Sequence, residues 1–85
     1  MKLKVLYFAS VKEKLGKAAE EVDVPAGIST VSGLRAHLGA RGGAYGEVFG
    51  DRRLVRAAVN QDMAGATAPI KAGDEIAFFP PVTGG

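Results

Sequence analysis

Cysteine and tryptophan are absent from the 85-residue chain, and histidine occurs once. Without a thiol there is no disulfide scaffold, thiolate zinc site, iron–sulfur site, nucleophilic cysteine or cysteine-persulfide carrier. One imidazole, that of His37, leaves little for acid–base work, so a self-sufficient hydrolase is not expected. His37 falls on the polar side of a helical pattern with no acid partner placed beside it, which reads as a surface histidine. Long apolar runs are also missing. None nears the roughly 18 residues of a membrane helix. The run Val5 to Ala9 (VLYFA) is too short for the core of a signal peptide, so a cytoplasmic chain is expected. Eleven Lys+Arg stand against nine Asp+Glu, a net charge of +2. No basic stripe with interleaved aromatics appears, so nucleic acid is not an expected partner. Arg52 and Arg53 form the one basic pair and read as a solvated loop able to steer an acidic partner.

What is present fits one small globular domain. The chain is 47% hydrophobic and 24% charged, which argues against disorder despite 12 glycines. Lys2 to Phe8 (KLKVLYF) alternates and then turns apolar on both faces, the pattern of an interior strand. Ser10 and Glu13 have capping-box spacing for a short helix, with Leu15 turned inward and Gly16 ending it. Glu20 to Val24 reads as a second strand stopped by Pro25. Ser29 or Thr30 can cap a helix with Val31, Leu34 and Leu38 on one stripe, weakened by about 1 kcal/mol at Gly33 and ended at Gly39. Five glycines between 39 and 50 predict a loop or frayed helix, anchored through Tyr45, Val48 and Phe49. Leu54 to Val59 reads as a third strand, followed by a turn at Asn60–Gln61–Asp62. A second turn pivots on Gly73–Asp74, and Glu75 to Phe79 is the last strand. Asp74 and Glu75 do not read as a metal pair, because neighbours on a strand point to opposite faces. No metal site is expected.

The predicted order is β, short α, β, α, β, β, an α+β domain with the outline of a ubiquitin-like β-grasp. The first and last strands are the most apolar and are expected side by side at the sheet centre. Residues 1–79 form the expected domain, and 80–85 a flexible C-terminal tail. Phe78 and Phe79 alternate, so on a one-sided sheet one faces the helix and the other is exposed on the opposite face, and Met63 adds an adaptable contact near that face.

The tail PPVTGG is the most unusual segment. Pro80 and Pro81 fix φ and hold the chain extended, and six residues can reach about 20 Å. Gly84 and Gly85 lack side chains and suit a channel too narrow for any Cβ. The tip presents the α-carboxylate of Gly85. A carboxylate reacts with nucleophiles only after activation, for example as an acyl-adenylate. The chain has neither a phosphate-binding G-x-x-x-x-G-K-[ST] nor a strand-linked G-x-G-x-x-G, so the activating enzyme must be a separate protein.

KVLYFASVKEKLG, AAVNQ and PIKAGDEIAFFPPVTGG resemble the small subunits of molybdopterin synthase (MoaD), within the MoaD/ThiS ubiquitin-like sulfur carriers. The resemblance spans nearly the whole chain. It implies that Gly85 is adenylated by a ubiquitin-activating-type (MoeB-type) enzyme using ATP. A sulfurtransferase then supplies sulfur, leaving a C-terminal thiocarboxylate. The tail would enter a MoaE-type large subunit, within a heterotetramer, and give its sulfur to cyclic pyranopterin monophosphate to build the molybdopterin dithiolene. Catalytic side chains would lie mainly on the large subunit, and this chain would be a non-catalytic sulfur-donating subunit with no bound cofactor. Phe8, Met63 and Phe79 match the family's hydrophobic docking surface. Pro80, Pro81, Val82, Thr83, Gly84 and Gly85 match its inserted tail. A ubiquitin-like modifier joined to lysines, or a thiamin-type sulfur carrier, would use the same activated terminus.

Overall fold

The computed structural model describes residues 1–50 and 55–81. Arg52, Arg53, Leu54, Val82, Thr83, Gly84 and Gly85 lie outside the described residues. The elements run β1 (Lys2–Tyr7), α1 (Ala9–Leu15), β2 (Ala19–Asp23), α2 (Val31–Gly39), α3 (Gly43–Gly50), β3 (Arg56–Val59), β4 (Asp62–Ala64) and β5 (Glu75–Phe79). The five strands form one mixed sheet in the order β2-β1-β5-β3-β4. β1 pairs parallel with β5, and the other pairings are antiparallel. No helix among the described residues is long and apolar enough to cross a membrane.

One sheet face holds the core. Leu3, Val5 and Tyr7 of β1, Ile76 and Phe78 of β5, and Val22 of β2 pack with Val31, Leu34 and Leu38 of α2. Thr30 caps α2 through its hydroxyl, which accepts a 3.1 Å hydrogen bond from the Gly33 amide. The same turn explains Gly33. A Cβ there would stand 3.2 Å from Ile28 Cγ2, so glycine lets Ile28 close over the start of the helix. The rings of Phe49 and Phe78 meet edge to face at 4.9 Å, with Tyr7 within 6.5 Å of both.

Several local expectations are corrected. The stretch expected as loop or frayed helix holds a regular helix, α3, because Val48 and Phe49 bury against the core and outweigh the glycines' low propensity. Helix α2 ends with Gly39, as read, and Ala40 is its C-cap. A three-residue strand, β4, follows the Asn60–Gln61 turn; both turn residues have positive φ (49° and 72°), the geometry of a tight hairpin. Ser10 does not cap α1. Phe8 is the N-cap residue, and its carbonyl accepts from the Val11 and Lys12 amides; Ala9, left-handed at φ 51°, starts the helix two residues early. Gly16 ends α1 as read, at φ 74°. β1 is buried on one face only, with Lys2 and Lys4 exposed and Leu6 half-buried opposite the core.

Two polar nodes hold the sheet's ends. Glu20 accepts from the hydroxyls of Tyr7 and Tyr45, each at 2.8 Å, and from Arg41 at 3.0 Å. It thereby ties β1, β2 and the start of α3 together. Burial opposes its charge, but the bonds from Tyr45, Arg41 and Tyr7 prevail and hold its carboxyl below the usual range. Burial and the bond to Glu20 push the Tyr7 phenol far upward, so it stays a donor. At the other end, Asp74 accepts from Asn60 Nδ2 at 3.0 Å and from the Lys71 amide at 2.9 Å. Those two bonds, Asn60 first, hold the Asp74 carboxyl low.

Both carboxyls are depressed by folding. Their contribution to stability is present above the ordinary carboxylate range and is lost as pH falls through their lowered values. Glu20→Gln is expected to destabilise the chain by about 1–3 kcal/mol at neutral pH. It should also flatten the loss of stability that wild type shows below about pH 4. Urea unfolding at pH 7 and pH 3 measures both, and an unchanged pH slope in the variant would remove Glu20 from this role. At the left-handed Ala9, Ala9→Val is expected to cost about 1–2 kcal/mol, whereas Ala9→Gly is tolerated, as read from thermal unfolding.

Candidate functional site: the outer sheet face and the root of the tail

Residues in direct register share a sheet face, so the face away from the helices can be read as rows. Across the middle, Ala19, Leu6, Ala77, Ala58 and Met63 align through all five strands. Nearer the end of β5, Phe79 pairs with Arg56 on one side. Phe8 extends β1 on the other, its amide donating to the Phe78 carbonyl at 3.1 Å. In the opposite direction lies a charged row in which Lys4 stands in register with both Glu21 and Glu75. The outer face is therefore apolar towards the tail and charge-balanced away from it.

Exposure separates the candidate residues. Phe8 is 48% exposed and Met63 66%, the large hydrophobics that solvent reaches most among the described residues. Phe78 is fully buried beneath the sheet, as the alternation requires. Phe79 is half-buried rather than open, because it sits in the strand between Phe8 and Arg56. Large apolar side chains left in water on one face, with small Ala58 and Ala77 between them, form a shallow surface suited to a protein partner. Ala19, Leu6, Ala58 and Ala77 belong to this surface and were missed in the sequence. Their pairing was the missing signal, since register is set between strands and not along one.

The tail begins at this surface. β5 stops at Phe79, where Pro80 can offer no amide to the ladder. Pro80 lines a small cleft of about 70 Å³ with Ser10, Val11, Lys14, Val48 and Val55. Pro80 and Pro81 are half-buried, and the last four residues of the candidate tail lie outside the described residues. The arrangement thus brings Phe8, Phe79 and Pro80 together at one end of the central strands, with Met63 on the same face at the edge.

The other polar groups do not assemble a reaction centre. Both oxygens of Asp74 are engaged in the turn it closes, which bears out the turn reading. His37 is half-buried on α2, with no side-chain hydrogen bond among the described residues. No group of three or more His, Cys, Asp or Glu side chains placed to hold a metal occurs among the described residues.

Comparison with known proteins agrees with this geometry. The chain is 46% identical over 83 residues to the molybdopterin synthase sulfur carrier subunit of Escherichia coli, covering 98% of this chain and 99% of that protein. It superposes on the crystal structure of small archaeal modifier protein 1 of Haloferax volcanii with a TM-score of 0.77 at 31% identity, covering 95% of this chain and 98% of that one. A Helicobacter pylori chain solved as a complex of subunits 1 and 2 of molybdopterin-converting factor matches over 100% of both chains, with a TM-score of 0.68 and 26% identity. Residues 5–85 match the ThiS family, and the chain, a ubiquitin-like β-grasp domain, belongs to that family of sulfur carriers.

Proposed function

We propose that the chain is the sulfur carrier and small subunit of a molybdopterin synthase. The observation that carries this is the outer face: exposed Phe8 and Met63 and half-buried Phe79 lie on one surface, at whose edge β5 ends and Pro80 follows. A partner that covers this face receives the tail at the same time. The full-length identity to the Escherichia coli carrier subunit supports the pathway. The Helicobacter pylori complex supports a second-subunit partner of the large, MoaE type.

The chemistry follows from the terminus. The Gly85 carboxylate attacks the α-phosphorus of ATP on an activating, MoeB-type enzyme and releases pyrophosphate. A sulfurtransferase-derived sulfur nucleophile then displaces AMP, and reduction or exchange at the donor leaves the thiocarboxylate. In the large subunit the C–S bond is cleaved by water as sulfur passes to cyclic pyranopterin monophosphate, which regenerates the Gly85 carboxylate. A dithiolene needs two sulfurs and hence two loaded carriers. The chain's own part is to dock through Phe8, Met63 and Phe79, to hold the tail extended through Pro80 and Pro81, and to pass Val82, Thr83, Gly84 and Gly85 into a narrow channel. Gly85 bears the reacting carbonyl. ATP is consumed on the partner, and no cofactor resides here.

Intact mass tests the first step. Incubation with ATP, a sulfur donor and the activating enzyme should raise the chain's mass by the difference between sulfur and oxygen, and removal of Gly84–Gly85 should abolish the rise. A full rise in the truncated chain would sink the proposal. The likeness to an archaeal modifier protein favours one competing use of the same terminus. A ladder of lysine conjugates in cell extract, without any thiocarboxylate-dependent dithiolene formation, would select it.

The docking face makes its own prediction. Phe8→Asp and Met63→Asp place charges at solvent-exposed positions, so folding should survive. Each should weaken large-subunit binding by about tenfold or more, as expected when an apolar anchor is lost. Calorimetric titration against the large subunit measures this.

A further inference from the structure

We infer that Arg56 is a specificity-determining residue of the docking face, matched by a carboxylate on the surface of the large subunit that covers it. The inference rests on the docking role proposed above and goes beyond it by naming the charge the partner must carry.

The outer face treats its cations unequally. Lys4, in the charged row, lies in register with Glu21 on one side and Glu75 on the other. Arg41 and Lys17 are drawn to Glu20 on the core side. Arg35 turns inward, where its guanidinium donates to the Val55 carbonyl. Arg56 alone sits in the apolar end of the outer face. It is exposed and directly opposite Phe79, and it makes no ion pair with any described residue. Its other neighbour in the sheet is β4, whose register with β3 begins at Ala57–Ala64, so β4 sets no acid across from Arg56.

This position has a consequence on docking. A partner that covers Phe8, Phe79 and Met63 also meets Arg56, which stands on β3 beside Phe79, between the strands that carry Phe79 and Met63, and takes water from it. Guanidinium cannot lose its proton to escape that cost. A covered, unpaired arginine would weaken the complex, whereas a carboxylate set in its plane would accept two parallel N–H donors and fix the docking angle. A surface without that carboxylate would be rejected even if it matched the apolar patch. Because Arg56 neighbours Phe79, from which the tail departs, this pairing would also fix the direction in which the tail leaves.

The test is titration of the intact chain against the large subunit of the same organism, over a range of salt concentrations. Arg56→Glu is expected to weaken binding by about tenfold or more, Arg56→Lys to give an intermediate loss, and Lys4→Glu, in the distant charged row, to change it by less than about twofold. Substituting Arg for the facing carboxylate of the large subunit should restore binding to Arg56→Glu and to no other variant. Thermal unfolding confirms that each variant folds. Arg56→Glu binding within about twofold of wild type, or an equal loss in Arg56→Glu and Arg56→Gln without charge-swap rescue, would overturn the inference while leaving the docking face intact. Loss confined to the activating enzyme would overturn it as well. Absence of binding by the wild-type chain would overturn both this inference and the function on which it rests.

Discussion

Parallel pairing of β1 with β5 is the constraint on which the rest of the molecule depends. The chain's first and last strands are neighbours at the centre of the sheet and run the same way. Both therefore finish at one end, where Tyr7 aligns with Phe78 and Phe8 follows beside Phe79. Parallel strands cannot be joined by a tight turn, and here nearly the whole domain serves as the connection. The helices pack their buried residues on one face of the sheet and leave the other towards water. A tail that follows β5 must then begin at the middle of the molecule, at the edge of an aromatic surface, and not at a frayed corner.

The two sheet faces answer different demands with the same strands. Phe78 and Phe79 are consecutive, yet one is fully buried against Phe49 and Tyr7 while the other lies half-buried on the outer sheet face. The buried aromatic cluster fixes the end of β5, and so fixes where Phe79 and Pro80 stand. Glu20 performs a similar service at the edge. By gathering Tyr7, Tyr45 and Arg41 it clamps α3 against β1, so the helix that supplies Val48 to the wall beside Pro80 cannot drift. The polar clamp and the aromatic cluster share Tyr7, whose ring packs in the core and whose hydroxyl reaches Glu20.

The division of labour in the chemistry suits so small a domain. An 85-residue chain with one histidine and no thiol has little from which to build a catalytic pocket. In the function proposed above a carrier needs none, because its reactive atom would be installed on a backbone carbonyl by other proteins. The lack of an internal thiol also removes a nucleophile that could attack the activated terminus within the same molecule.

The strands β1, β2 and β5, the capped helix α2 and the Gly16 stop were all legible in the sequence. Each is written in local terms: period-two alternation, three-and-four spacing, a hydroxyl before a helix, or proline after a strand. Helix α3 was hidden because its glycines argue locally against helix, and only the burial of Val48 and Phe49 in a formed core overrides them. β4 was hidden because three residues at a sheet edge carry no periodic signal. Phe8, Met63 and Phe79 were named through the family resemblance, but the apolar row that runs from Leu6 to Met63, and the place of Arg56 beside Phe79 next to that row, exist only once five strands are in register. The chemistry of the terminus belongs to the order of residues along the chain. The surface that presents it belongs to the pairing of strands far apart in that order, and hydrogen bonding in the sheet decides that pairing.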